Sequence, residues 1–170
     1  TDEILAICDE FGVKATFYFL GWIAERYPQL VRRTVEQGHE IGTHSYWHRN
    51  VFDLGPKSFE QDLKLSIKVI EDAGQASVTS FRAPCFSIIP GTEWAFDILL
   101  DQGLSYDASL FPAPRINGGY PCPLGPHLHT EIPSGRTLPV LPMSLMNIGP
   151  RKFGFSGGGG SNSFELVSAS

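Results

Sequence analysis

The sequence has no run of about 18 consecutive apolar residues, so nothing in it reads as a membrane-spanning helix. Basic residues are few and scattered. Thirteen Lys and Arg stand against 18 Asp and Glu, for a formal net charge of −5, and Arg32-Arg33 and Arg151-Lys152 are isolated pairs. Holding a phosphate backbone needs a clustered positive patch, so nucleic acid is not the expected partner. Cysteine is scarce as well: Cys8, Cys85 and Cys122 make an odd count with no C-x-x-C pair, which argues against a disulfide framework. Cys85 has no histidine next to it in sequence and is expected to be a buried structural thiol rather than a nucleophile. No signal-peptide pattern precedes Thr1, and a chain that opens on Thr rather than Met is expected to have been trimmed.

What is present suits an ordinary globular protein. With 170 residues, 42% of them apolar and 18% charged, residues 1–170 are expected to form one domain with a buried core. Helical and extended patterns alternate along the first two thirds. Ile4, Cys8 and Phe11 fall on one stripe with Leu5 beside it, and Gly12 closes that helix. Residues 13–20, rich in β-branched and aromatic side chains, read as a buried strand. Pro28 opens a helix carrying Leu30, Val31 and Val35 that ends at Gly38, and Glu40 to Thr43 is the next strand. Ser58-Phe59-Glu60-Gln61 has the form of a capping box, followed by Leu63, Ile67 and Ile70 at helical spacing up to Gly74. Ser77 to Phe81 is expected to be a strand, Thr92 to Gln102 a helix with Trp94, Ile98 and Leu99 inward, and Leu104 to Ser109 another strand. This β-α-β-α order predicts a parallel sheet wrapped by helices, with chemistry just beyond the carboxyl ends of its strands.

Residues 113–170 are different in kind. Prolines break up regular structure there, leaving long loops and a short edge strand near Leu138 to Leu141. By composition alone Ser156-Gly157-Gly158-Gly159-Gly160-Ser161 looks like a flexible linker.

Three blocks carry the functional signal. Gly38-His39-Glu40-Ile41-Gly42-Thr43-His44-Ser45-Tyr46-Trp47-His48 sets His44 and His48 four residues apart after a strand, so that one helical turn would bring both imidazoles to a single metal ion. Phe81-Arg82-Ala83-Pro84-Cys85-Phe86 follows, and then Tyr106-Asp107-Ala108-Ser109-Leu110-Phe111-Pro112. His39 precedes its strand rather than following it and is expected to be structural. His127 and His129 read as an exposed loop pair able to take metal only adventitiously. Asp107 is equally compatible with contacting sugar hydroxyls or tuning a neighbouring cation and with capping the next turn.

In their order and spacing these blocks resemble the polysaccharide deacetylase superfamily, the NodB-homology or carbohydrate esterase family 4 domain, and within it the branch associated with bacterial exopolysaccharide loci. The resemblance is close from Thr1 to about Pro112 and loose from there to Gly160, where it offers a family glycine cluster as the second reading of 156–161. It implies an α/β fold, a distorted (β/α) barrel, and a hydrolase that removes N-acetyl groups from a polysaccharide with the help of a divalent metal, commonly zinc. By that resemblance His44 and His48 match the metal-binding histidines and Arg82 matches the arginine that orients the catalytic base. Pro84 and Phe86 would wall the substrate groove. The expected partner is an N-acetylated glycan, and the compartment stays open between bacterial cytoplasm and cell envelope.

The chain also departs from that pattern. The family's first block, T-F-D-D-G or D-x-D, and its late histidine have no counterpart, so the chain is expected to be a fragment lacking the first barrel strand and the C-terminal part. Residues 13–20 would then present an open sheet edge that invites self-association. Two further readings stay open: opening of cyclic amides or imides, as by allantoinase-like relatives with a similar Y-D-x-S block, and a catalytically inactive carbohydrate-binding relative.

Overall fold

The structure, a computed structural model, describes residues 2–113, 118–148 and 151–154. In chain order it comprises α1 (Asp2–Glu10), β1 (Thr16–Phe19), α2 (Gly21–Arg26), α3 (Pro28–Glu36), β2 (Glu40–Thr43), α4 (Val51–Gly74) and β3 (Ser80–Phe81). A 3-10 turn over Pro84–Phe86 follows, then α5 (Trp94–Asp101), β4 (Tyr106–Asp107), β5 (His127–His129), β6 (Leu138–Val140), β7 (Leu145–Ile148) and β8 (Arg151–Gly154). Six strands form one sheet in the order β1-β2-β3-β4-β6-β5, parallel except for the antiparallel β5–β6 pair, and β7 and β8 form a separate hairpin. Among the described residues the sheet is open rather than closed into a barrel, with β1 at one edge and β5 at the other. The glycine cluster at 156–161 lies outside the described residues.

Strand alternation gives the sheet two unlike faces. Register pairs Thr43 with Phe81 and Phe81 with Asp107, so these three share one face. Thr43 Oγ1 bonds Ser66 Oγ of α4 at 2.7 Å, and the Phe81 ring lies 5.5 Å from Phe59, so this is the face that α4 covers. Phe59, Leu63 and Ile70 of α4, Val31 of α3, and Phe96 and Leu99 of α5 are fully buried with it. Burying side chains of this size contributes about 1.5–3 kcal/mol each, which makes this layer the main source of stability. The opposite face is polar. Glu40 accepts hydrogen bonds there from Thr16 Oγ1 at 2.6 Å and Tyr106 Oη at 2.7 Å, with Thr79 Oγ1 as a third donor.

Several expectations need correcting. Helix α1 buries Leu5 and Cys8 but leaves Ile4 and Phe11 exposed, because two apolar stripes run along it and only one meets the domain. Strand β1 is shorter than residues 13–20 and only Phe19 is fully buried, as befits an edge. Ser58 caps nothing: the helix breaks at Gly55 (φ 69°, ψ 169°) and resumes at Pro56, placing Ser58 inside it. On α5 Leu99, Trp94 and Ile98 face the core as expected, Trp94 and Ile98 only half-buried, while the fully buried Ala95 and Phe96 were not singled out. Strand β6 is interior, between β4 and β5, not an edge. The turn before it is tied to α5 by Arg136, whose guanidinium reaches Asp97 at 2.7 Å and Asp101 at 2.8 Å. Cys85 is exposed, held at the surface by a 3-10 turn in which it has φ 54°. His127 and His129 lie in β5 rather than in a loop, and His129 is buried.

Candidate active site at the carboxyl ends of the strands

Strand β2 hands over to the loop carrying both histidines. The His44 backbone N–H donates to Phe19 O at 2.8 Å, and Arg82 N–H donates to Thr43 O at 3.0 Å, so the ends of β1, β2 and β3 are stitched together at this point. His44 Nδ1 lies 2.6 Å from Arg82 O. A carbonyl only accepts, so Nδ1 carries the proton and Nε2 keeps a bare lone pair. Burial pushes the His44 pKa down from 6.5 to about 4, against the pull of the hydrogen bond to Arg82 O, so the ring is neutral at physiological pH.

The two rings meet, though not through a helical turn. Ser45 (φ 66°) and His48 (φ 59°) are both left-handed, an uncommon backbone for residues other than glycine. The loop is held by short bonds from Tyr46 N–H to Asp62 Oδ2 at 2.7 Å and from Gly21 N–H to Ser45 O at 2.9 Å, with a longer one from Trp47 N–H to Asp62 Oδ1 at 3.4 Å. His48 N–H donates to Ser45 Oγ at 3.0 Å. Gly21 is required here, because a Cβ on it would sit 2.4 Å from Tyr46 Cδ2. In this frame the His44 and His48 ring centres lie 5.0 Å apart at 72°.

That spacing tests the fit to a metal. Two imidazoles each bound through one nitrogen at about 2.0–2.1 Å, in a tetrahedral arrangement, bring their ring centres about 5 Å apart. The pair matches this, and His44 already offers the right nitrogen. Among the described residues no third His, Cys, Asp or Glu completes the set. The residues therefore fit two ligands of an ion.

Arg82 lies opposite. Its guanidinium sits 4.6 Å over the Tyr18 ring, and its Nε–H donates to Ala108 O at 3.2 Å. Burial raises the Tyr18 pKa, so its hydroxyl stays protonated. Gly42 makes room for that ring, since a Cβ there would meet Tyr18 Cε1 at 2.6 Å. Arg82 forms no ion pair among the described residues. Pro84 is buried and Phe86 half-buried, with the Phe86 ring 5.4 Å from Phe111.

Asp107 lies near enough to Arg82 to feel its charge but forms no ion pair with it among the described residues. It faces α4 rather than the side that carries Tyr106, it is fully buried, and both carboxylate oxygens turn back on Ser109, one taking the backbone N–H at 2.9 Å and the other the hydroxyl. Of the two readings left open for Asp107, turn capping is the one these bonds favour. Its register with Phe81 decides the matter. His39, by contrast, is buried at the amino end of β2, where its Nδ1 accepts from Ala15 N–H at 3.3 Å. Sequence reading missed Asp62 and Tyr18. Asp62 had a visible signal, a carboxylate on the same helical face as Phe59, Leu63 and Ser66, which is a costly position unless it holds something.

A family model for polysaccharide deacetylases matches residues 1–93. The chitooligosaccharide deacetylase of Sinorhizobium fredii is 36% identical over 100 residues, covering 58% of this chain and 44% of that protein. A Mycobacterium smegmatis structure assigned to the polysaccharide deacetylases superposes with a TM-score of 0.69 at 26% identity, covering 84% of this chain and 45% of the other. Puue allantoinase superposes with a TM-score of 0.63 over 84% of this chain and 42% of its own, at 18% identity, a likeness of fold alone. Each match covers less than half of the relative's length.

Proposed function

The chain belongs to the polysaccharide deacetylase family, and from that premise we propose that it carries part of the machinery of a hydrolase that removes N-acetyl groups from a glycan. The net reaction is hydrolysis of the acetamido C–N bond, which releases acetate and leaves an amine on the sugar. His44 and His48 would hold a divalent ion, with zinc suited to two imidazole donors. The chemistry supplied by such an ion, when bound, is Lewis acidity toward the amide carbonyl. The observation that carries this reading is the hydrogen bond from His44 Nδ1 to Arg82 O, which fixes the tautomer and aims Nε2 as the ligand atom.

The remaining residues position and shield. Arg82, steadied on Tyr18 and on Ala108 O, would act as a positioning residue, a planar cation suited to pairing with a carboxylate base that these residues do not themselves supply. Phe86, half-buried against Phe111, and the buried Pro84 would supply an apolar flank to the glycan. The test is acetate release from hexa-N-acetylchitohexaose by the zinc-supplemented protein beside His44→Ala. Release that disappears in the variant supports the reading. Equal release from both contradicts the role given to the pair.

A further inference from the structure

Two of the chain's three tryptophans, Trp22 and Trp47, stand exposed, at 37% and 57% of their surface. The third, Trp94, packs against Phe59 with ring centres 5.8 Å apart. Both exposed indoles lie at the carboxyl end of the sheet, the end that carries His44 and His48. Trp22 follows β1 directly, in the first turn of α2, and Trp47 immediately precedes His48 in the loop after β2. Their loops are joined edge to edge: Gly21 N–H donates to Ser45 O at 2.9 Å and Trp22 N–H to Tyr46 O at 3.5 Å.

Trp47 is also held in place before any ligand arrives. Its backbone N–H is on Asp62, and its ring rests edge-on against Tyr46, with centres 4.7 Å apart at 74°. Tyr46 is itself buried and anchored through its hydroxyl to Glu25. An exposed, prearranged indole offers a large apolar face at low conformational cost on binding. The indole face is electron-rich. The axial C–H groups of a pyranose ring are electron-poor and form a flat apolar patch of similar size, so the two are complementary. Trp22 is mostly packed and Trp47 rests on Tyr46, yet each leaves indole surface exposed in loops at the end of the sheet that carries the histidine pair.

We infer that Trp47, with Trp22 beside it, is a stacking platform for pyranose rings of the glycan next to the N-acetylated residue held at His44 and His48. The placement of the acetamido group rests on the function proposed above. The stacking itself rests on the exposed indoles. The consequence is a preference for oligomers over single sugars, because a monosaccharide cannot occupy the histidine pair and the platform together.

The experiment is calorimetric titration of the protein with hexa-N-acetylchitohexaose and with N-acetylglucosamine, using wild type, Trp47→Ala, Trp22→Ala and the conservative Trp47→Phe. A zinc titration of each runs in parallel. The expected result is hexamer binding weakened about five- to tenfold in Trp47→Ala, less in Trp22→Ala, and largely kept in Trp47→Phe, with zinc binding unchanged throughout. Hexamer affinity unchanged in both alanine variants, or no hexamer binding by wild type, overturns the platform. The function proposed above fails separately, on zinc binding or acetate release that ignores His44, so the two readings stand or fall on different measurements.

Discussion

The chain carries two close histidine pairs, His44 with His48 and His127 with His129, and only the first has the spacing that a shared ion asks for. Each pair has one member whose Nδ1 sits on a backbone carbonyl, Arg82 O at 2.6 Å for His44 and Gly125 O at 2.9 Å for His127. The surroundings then diverge. The first pair brings ring centres to 5.0 Å at the open end of the sheet, with His48 exposed. The second stands at 6.3 Å, and its His129 ring lies 4.5 Å from Phe96 and 5.5 Å from Tyr120. A shared ion in tetrahedral geometry asks for about 5 Å, so the second pair is too wide as it stands. Among the described residues neither of its buried Nε2 atoms has a hydrogen-bond partner. Proximity in sequence was greater in the second pair, two residues against four. What separates the pairs is the loop conformation that folds His48 back toward His44 and the contacts that hold it there.

That difference can be attacked from the loop side first. Gly21→Val places a branched side chain where even a Cβ would be 2.4 Å from Tyr46 Cδ2 and 3.0 Å from Ser66 Cα. Overpacking of this kind is expected to cost about 3 kcal/mol and to spoil the first pair while leaving β5 alone. Thermal unfolding together with zinc titration reads both effects. A variant as stable as wild type with unaltered zinc binding would show that the loop is not held as described.

Acid is the next lever. Burial holds His44 at about 4 in the folded protein, against 6.5 for an ordinary imidazole, so the unfolded chain binds more protons across that window. Stability is therefore fully present above pH 6.5 and falls as the pH drops toward 4, by up to about 3 kcal/mol from this residue. His129 is shifted in the same direction, also by burial. Urea midpoints followed from pH 7 to 4 should show the loss, and His44→Phe should flatten part of it. An acid limb identical in that variant would assign it elsewhere.

Smaller effects sharpen the same contrast. Asp62→Ala leaves Tyr46 N–H and Trp47 N–H without their acceptor and is expected to cost about 2 kcal/mol, with weaker zinc binding as the loop loosens. Asp62→Asn keeps one acceptor oxygen but turns an NH2 toward the other backbone N–H, so it should recover only part of the stability; full recovery would show that one of the two bonds contributes little. His129→Phe removes an unpaired buried nitrogen from a pocket already lined by Phe96 and Tyr120. It is expected to stay within about 1 kcal/mol of wild type or to gain stability, as judged by denaturant titration. A large loss would mean that the ring nitrogen has a role that its surroundings do not reveal.

Much of the frame was legible from residue order. Strand β2 and helix α3 fall where Pro28, Gly38 and the run from Glu40 to Thr43 put them, and His44 and Arg82 sit just past strand ends as expected. Some errors were local, at the Gly55 break ahead of Ser58 and the turn that carries Cys85, but most turned on what lies across the chain rather than along it. Ile4 and Leu5 carry the same periodic signal, and only the position of the domain decides which is buried. Asp107 ends its strand as predicted, and only its register with Phe81 decides between the two roles the sequence left open for it. The left-handed turns at Ser45 and His48 carry no glycine and leave no mark in the sequence. The partners that hold them, Gly21 and Asp62, lie outside the loop.

The most direct test is a zinc titration by calorimetry at neutral pH on wild type, the double variant His44→Ala/His48→Ala and the double variant His127→Ala/His129→Ala. One tight site per chain that survives loss of the β5 pair and vanishes with the His44 pair is the predicted result. Zinc binding that persists without His44 and His48, or that depends on His127 and His129, would contradict the account.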